Sequence, residues 1–92
     1  MDRIYFEWDD KKNTINIEKH GVSFEEAATV FQDDDAILFD DPIHSDDEER
    51  FLIIGISRKA NLLTVAHCLR ENETVIRIIS AKKPLAVKQD RM

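Results

Sequence analysis

Hydrophobic and polar positions alternate along the start of the chain and then change period. Residues 3–8, RIYFEW, alternate weakly and are rich in aromatic and β-branched residues, which predicts a first strand ending near Trp8. Asp9 is a good helix N-cap, so we expect a helix from about Asp10 to His20. Gly21 supplies the left-handed residue that commonly ends a helix.

The next segment predicts a short second helix. Ser23 and Glu26 fit a capping box, in which each side chain bonds a free N–H at the helix start. Phe24, Ala27, Ala28 and Phe31 recur at helical spacing and mark an apolar stripe. The two helices are therefore expected to meet at a tight corner.

Four later segments have the composition of strands. They are AILF at residues 36–39, RFLIIGIS at 50–57, LLTVAHCLR at 62–70 and TVIRIIS at 74–80. The turns RKAN and ENE are short and polar, which favours an antiparallel meander with one well-buried face. We expect a last helix to start at Ala81, with Pro84 in its first turn.

Length and composition limit the class of protein. Ninety-two residues, 42% of them hydrophobic, suit one modest core, so we expect residues 1–92 to form a single domain. The chain has no run of about eighteen apolar residues and its start is acidic, so we predict a cytoplasmic protein without a signal peptide or membrane contact. The single cysteine, Cys68, excludes an internal disulfide and a multi-cysteine zinc site.

The net charge of −6 is unevenly distributed. Residues 1–57 hold five basic and sixteen acidic side chains, whereas residues 58–92 hold eight basic and three acidic ones. The overall charge argues against binding nucleic acid through charge alone. The basic C-terminal part still allows a local anion-binding face or a contact with a charged partner.

The acidic stretch in the middle of the chain suggests a metal site. Its possible ligands are Asp40, Asp41, His44, Asp46 and Glu49. Their spacing fits no calcium loop, and blocks of like charge usually stay solvated, so a solvated loop is the better interpretation. The histidines are too scattered to define a zinc site, and with only two glycines the chain has no phosphate-binding glycine loop.

A metal-independent nuclease site is the remaining candidate chemistry. Cleavage of RNA through its own 2′-hydroxyl needs a base, cations near the phosphate and an acid, and no cofactor. Candidate side chains stand on the first helix (Lys12, Lys19 and His20) and around the last strand (Arg77, Ser80 and Lys82). Arg77 is alone among apolar strand residues, so it either lies on a solvated face or binds an anion. Ser80 also suits a helix N-cap.

The run FEWDDKKNTINIEKHGVSFEEAATVF, with the later ERFLIIGIS and IRIISAKK, resembles the BrnT family, the toxins of BrnT–BrnA type II toxin–antitoxin systems. The likeness covers Phe6 to Lys82. It implies an α+β fold similar to the RelE-type toxins, with two N-terminal helices and a C-terminal helix packed on an antiparallel sheet. It also implies a metal-independent ribonuclease that inhibits translation. A BrnA-like antitoxin would bind it and carry the DNA-binding domain, so the toxin would meet DNA only indirectly.

The resemblance also implies roles for individual residues. The family pattern falls on Trp8, Asp9, Lys12, Asn16, Lys19, His20, Gly21, Glu49, Arg50, Arg77, Ser80 and Lys82. We expect Arg77 to hold the scissile phosphate and Lys82 to add positive charge beside it. His20 or Lys19 is expected to transfer a proton. Ser80 is the remaining expected catalytic residue. Lys12 and Arg50 are expected to bind RNA. Because positive charge is favoured at a helix C-terminus, His20 is expected to donate a proton or bind phosphate.

The C-terminal segment departs from the family pattern. Family members usually carry S-A-R at the end of the strand and then a helix of the form A-x-x-x-E-R-x-x-Y, whereas this chain reads SAKKPLAVKQDRM. Lys82 keeps the positive charge of the usual arginine, but it lacks the guanidinium that binds a phosphate through two parallel hydrogen bonds. Two hypotheses follow: an active RNA-cleaving toxin, or a catalytically degenerate protein that only binds an antitoxin or acts as a corepressor.

Overall fold

The computed structural model describes residues 3–41 and 49–84, in which helices pack on a five-stranded sheet. The elements are β1 (Tyr5–Glu7), α1 (Asp10–His20), α2 (Phe24–Thr29), a 3-10 turn (Val30–Gln32), β2 (Ile37–Asp40), β3 (Phe51–Ile56), β4 (Leu62–Arg70) and β5 (Val75–Lys82). The strand order is β1-β5-β4-β3-β2. Among these elements, no helix has both the length and the apolar character needed to cross a membrane.

The helix boundaries follow the predicted caps. The Asp9 carboxylate accepts hydrogen bonds from the backbone N–H groups of Lys11 (2.8 Å) and Lys12 (3.2 Å), which starts α1. Gly21 ends it with a φ of 70°, and the Gly21 N–H donates to the carbonyl of Ile17. Ser23 Oγ accepts from the Glu26 N–H at 3.0 Å, which starts α2. Local sequence therefore sets both ends of α1 and the start of α2.

Glu26 has a different role from the one its spacing predicts. Its carboxylate is buried and accepts hydrogen bonds from Ser57 Oγ (2.6 Å) and Asn61 Nδ2 (2.7 Å), instead of completing a capping box with Ser23. Burial raises the pKa of Glu26, but the hydrogen bonds from Asn61 and Ser57 outweigh it and hold the pKa below its usual value. Glu26 thus ties α2 to the turn between β3 and β4.

The predicted three-helix, antiparallel fold is wrong in two respects. The sheet is mixed, because β1 runs parallel to β5. The expected start of a last helix, Ala81, instead lies in β5, where it pairs with Val65 and is fully buried. The two α-helices of the described residues are therefore both N-terminal, and the remainder of the predicted third helix, residues 85–92, lies outside the described part of the chain.

The core forms where the helices cover one face of the sheet. Phe24, Ala27 and Val30 pack against strand residues whose side chains are also buried, among them Ile53, Leu63, Val65, Ile76 and Ile78. Gly55 lies where a Cβ would come within 2.8 Å of the Ala36 Cβ, so the strand passes the start of β2 too closely for any side chain. The opposite face, called here the open face, carries no helix among the described residues.

Asn16 joins α1 to the part of β5 that β1 does not reach. β1 pairs only with Val75, Ile76 and Arg77. Further along β5, the Asn16 carboxamide donates to the Ala81 carbonyl (2.7 Å) and accepts from the Ala81 N–H (3.1 Å), as a neighbouring strand would. The same Nδ2 donates to the Val22 carbonyl at 2.8 Å, and Asn16 is 5% exposed. One side chain thus replaces a strand and fixes α1 beside the end of β5.

We expect Asn16→Ala to lower the free energy of unfolding by about 3 kcal/mol, since it leaves buried Ala81 and Val22 groups unpaired at about 1–3 kcal/mol each. Urea denaturation measures this change. Thr14→Ala is the matched control on the exposed side of α1 and should change stability by less than about 0.5 kcal/mol. Equal stabilities for the two variants would show that Asn16 does not anchor the helix.

Candidate functional site

A bulge in β5 brings three predicted site residues to the open face. The cross-strand pairs are Arg77 with Cys68, Ser80 with Ala66 and Lys82 with Thr64. Their partners in β4 are two residues apart and share a face, and directly opposed side chains point the same way. In a regular strand Arg77 and Ser80, three positions apart, would point to opposite faces. The register shift leaves Ile79 without a partner in β4, so Arg77 and Ser80 point to the same face.

Two cavities share the lining residues Ile79 and Ser80. The first, called the sheet cavity, has a volume of about 290 Å³, and its polar lining consists of Asp41, Arg50, Thr64, Ser80 and Lys82. The second, called the helix cavity, has a volume of about 170 Å³ and is lined by Lys12, Ile15, Asn16, Lys19, His20, Ile79 and Ser80. We call the region around these two shared residues the Ser80 junction.

Most of the predicted site residues border this junction. Lys12, Lys19 and His20 reach it from α1, whereas Arg50 and Lys82 reach it from the sheet. Basic residues that are far apart in the sequence therefore line the two cavities that share this serine. On a chain with a net charge of −6, these cations form a local concentration of positive charge, which is the electrostatic requirement for attracting an anion such as a phosphate.

Arg77 is the predicted site residue that lines neither cavity. Its Nη1 donates to Glu7 Oε2 at 3.0 Å, and Arg70 Nε lies 3.6 Å from the same oxygen. The Arg77 side chain is 32% exposed on the open face. Hydrogen bonds from the N–H groups of Lys12 and Lys11 lower the pKa of Asp9, and the charges of Lys12 and Arg77 lower it further. Arg77 thus lies within electrostatic range of the start of α1.

Several residues of the site were not found by sequence reasoning. Glu7 contacts Arg77 because β1, at the start of the chain, pairs with β5, near its end. No local sequence pattern predicts this pairing. Thr64 and Ile15 line the cavities but have ordinary strand and helix compositions. Asp41, considered only as a metal ligand, lines the sheet cavity, and its N–H donates to the Arg50 carbonyl at 3.0 Å.

The metal hypothesis gains no support from the residues that can be placed. Asp40, Asp41 and Glu49 are described, whereas His44 and Asp46 lie outside the described residues. Within residues 3–41 and 49–84, no group of three or more His, Cys, Asp or Glu side chains is arranged to hold a metal ion.

His67 lies beneath the bulge, on the helix-covered side of the sheet. It pairs with Ile78, the last regular residue before the bulge. Its ring is 2% exposed, with its centroid 4.8 Å from that of Phe31 and 5.9 Å from that of Phe51. Burial lowers the pKa of His67, so the ring is held in its neutral form. It supports the site from below and does not reach the open face.

Comparison with known proteins identifies relatives of this arrangement. A family model described as the ribonuclease toxin BrnT of type II toxin–antitoxin systems matches residues 8–85, which include every residue lining the two cavities. The 1.1 Å crystal structure of the Brucella abortus ribonuclease toxin BrnT is similar, with a TM-score of 0.65. The alignment covers 94% of this chain and all of that one, at 20% identity, so this likeness shows a shared fold. No curated protein matches the sequence.

Acid should destabilise the fold through His67. Because folding lowers the pKa of His67, the unfolded chain binds more protons at that position as the pH falls. Its contribution to stability is complete above about pH 6.5, the ordinary histidine value, and is lost as the pH falls toward the lowered value. We therefore expect the wild type to lose more free energy of unfolding than His67→Phe between about pH 7.5 and 5.

Urea denaturation at each pH measures the difference. A His20→Gln variant controls for removing a histidine from the surface. Parallel pH profiles for the wild type and His67→Phe would contradict the role assigned to the buried ring.

Proposed function

Because the chain belongs to the BrnT family of ribonuclease toxins of type II toxin–antitoxin systems, we propose that it is an endoribonuclease that cleaves RNA at the Ser80 junction. A toxin of this type has a protein antitoxin as its partner. We propose that this antitoxin is BrnA-like and carries the DNA-binding domain, so that the toxin contacts DNA only through it. Cleavage of RNA in the cytoplasm would then inhibit translation.

The observation that carries this proposal is the convergence of two basic groups on Ser80. Arg50 and Lys82 border it from the sheet, and Lys19 and His20 border it from α1. A phosphodiester placed at the junction has cations on both sides, and these stabilise the charge that grows on the phosphate during cleavage. Ser80 lines both cavities, and a serine hydroxyl can donate a hydrogen bond to the same phosphate.

The reaction requires two proton transfers. The RNA 2′-oxygen attacks the adjacent phosphorus and gives its proton to Asp41, the carboxylate of the sheet cavity. The bond from phosphorus to the 5′-oxygen breaks, and His20 gives that oxygen a proton. The products are a 2′,3′-cyclic phosphate and a 5′-hydroxyl. His20 stands in the last turn of α1 and lines the helix cavity, which shares Ser80 with the sheet cavity.

Arg77 has a revised place in this scheme. Since Glu7 occupies its Nη1, a phosphate would have to compete with that carboxylate to bind Arg77. We propose that Arg77 contacts the phosphate next to the scissile one and that Lys82 is the main cation at the reacting phosphate. No step in this scheme needs a metal ion, so cleavage should persist in EDTA.

A catalytically degenerate protein that only binds its antitoxin is the second candidate. Two observations favour it: Lys82 stands where the family usually has arginine, and Arg77 is paired with Glu7. Expression of the chain without its antitoxin separates the two. Growth arrest that Arg77→Ala relieves supports the toxin, and unaffected growth with both forms supports the degenerate protein.

We expect His20→Gln to slow single-turnover cleavage of an RNA oligonucleotide by about 100-fold or more, since it removes the proton donor. The melting temperature should not change, because His20 is exposed at the helix end. Lys11→Ala is the matched control, an exposed lysine of α1 that lines neither cavity, and it should cleave at the wild-type rate. If His20→Gln cleaves RNA at the wild-type rate, His20 is not the proton donor.

Lys82→Arg should increase the cleavage rate several-fold, because a guanidinium binds a phosphate through two parallel hydrogen bonds. Lys83→Arg, the same change at the neighbouring exposed lysine, should have no effect. A Lys82→Arg variant that cleaves no faster than Lys83→Arg would show that Lys82 does not contact the reacting phosphate.

A further inference from the structure

β2 lies at one edge of the sheet and exposes apolar side chains on both faces. Its only strand neighbour among the described residues is β3. Ile37 is 64% exposed, Leu38 is 60% exposed and Phe39 is 40% exposed. Leu38 points to the helix-covered face, because it pairs with the core residue Ile53, whereas Ile37 and Phe39 point to the open face.

At this edge the backbone of β2 also presents hydrogen-bonding groups that pair with no strand among the described residues. The Asp41 N–H donates to the Arg50 carbonyl at 3.0 Å, so Asp41 turns its backbone toward β3. In an antiparallel ladder such residues alternate, so Ile37 and Phe39 turn the same way. Leu38 and Asp40 therefore direct their N–H and carbonyl groups away from the sheet, where they can pair with an added strand.

Such an edge is unusual in a protein that works alone. Natural edge strands are usually protected by inward charges, proline or a bulge, because an exposed apolar edge is a template for another strand. Apart from Asp40, β2 carries none of these protections. Acidic side chains instead flank its apolar centre, with exposed Asp34 and Asp35 before it and exposed Asp40 at its end.

We propose that β2 is the docking edge for the protein antitoxin, which adds an extended segment as a sixth strand. The chemistry of the edge defines that segment. Its centre is apolar on both faces, to cover Leu38 on one side and Ile37 and Phe39 on the other. Its ends carry Lys or Arg, to meet the acidic flanks of β2. This is strand addition, in which main-chain hydrogen bonds give affinity and the side chains give specificity.

Charge favours this partner over a second copy of the chain. If two β2 strands paired antiparallel about Leu38, Asp35 of each copy would lie opposite Asp41 of the other. Parallel pairing would place each acidic flank beside its own equivalent. Either arrangement puts like charges together, which is destabilising across strands. A segment with basic ends turns the same flanks into attractive contacts.

The inference rests on the protein partner that family membership implies and is independent of RNA cleavage. Binding can therefore be measured whether or not the chain is a nuclease. The probe is the protein encoded by the reading frame adjacent to that of this chain, purified separately and titrated with the full chain.

Leu38→Pro is the sharpest variant. It removes an N–H that points away from β3, and proline is tolerated on edge strands at such positions. The Kd should rise about tenfold or more, through loss of a main-chain hydrogen bond and obstruction of the added strand. Leu38→Lys, which places a charge at the same edge without constraining the backbone, should also weaken binding at least several-fold. Ile17→Lys is the control, a 45% exposed isoleucine on α1, and should bind as the wild type does.

Residue-resolved amide exchange tests the geometry directly. In the free chain the amides of Ile37 and Phe39 should exchange slowly and those of Leu38 and Asp40 rapidly; in the complex all four should be slow. Rapid exchange of Leu38 and Asp40 in the complex, together with unchanged affinity of both Leu38 variants, would overturn the proposal. A dimer of the free chain with a protected Leu38 amide would also overturn it, since a second copy would then occupy the edge.

Discussion

The hydrogen bonds between the Asn16 carboxamide and Ala81 determine where the candidate site, the Ser80 junction, is assembled. β1 ends after pairing with the first part of β5, which leaves the backbone of Ala81 without a strand partner on that side. Asn16 provides both the donor and the acceptor that a strand would. Because Lys12 and Lys19 lie one turn before and about one turn after Asn16 on the same stripe of α1, fixing Asn16 places both lysines along the end of β5.

The bulge in β5 completes this arrangement from the sheet. It turns Ser80 to the open face with Lys82, so a side chain that would otherwise point toward the helices instead lies between the two cavities. His67 and its aromatic neighbours fill the core below. Helix anchor and strand irregularity together place cations from both ends of the sequence around one hydroxyl. Neither device alone would do so, because each positions only one of the two groups.

Local sequence predicted those features that depend on neighbouring residues. The Asp9 cap, the Gly21 stop and the bounds of β4 all follow from short patterns, and the structure has them where they were expected. The parallel pairing of β1 with β5 joins residues about 70 positions apart. The continuation of β5 through Ala81 depends on pairing with Val65 of β4 and on the contact with Asn16, 65 residues away. A helix after Ser80 was a reasonable prediction from propensity, and the tertiary contact with Asn16 overrides it.

The candidate site shows the same division. Family resemblance identified residues of α1 and of the sheet, and the structure brings them together. Residue spacing alone could not decide whether Arg77 lies on a solvated face or in an anion site. Its contact with Glu7 became visible only with the strand order, and the lining role of Asp41 only with the fold. A sequence pattern can identify side chains that could take part in the chemistry. It does not show which of them already form an ion pair within the protein, as Arg77 does with Glu7.

In the proposed reaction, the cations of α1 and of the sheet act on the same phosphate. A double-mutant cycle of Lys19→Ala and Lys82→Ala, measured by single-turnover RNA cleavage, tests it most directly. Groups that stabilise one transition state are coupled, so the combined loss should differ from the sum of the single losses by at least about 0.5 kcal/mol. Strictly additive losses would contradict the claim and place the two lysines at independent positions along the RNA.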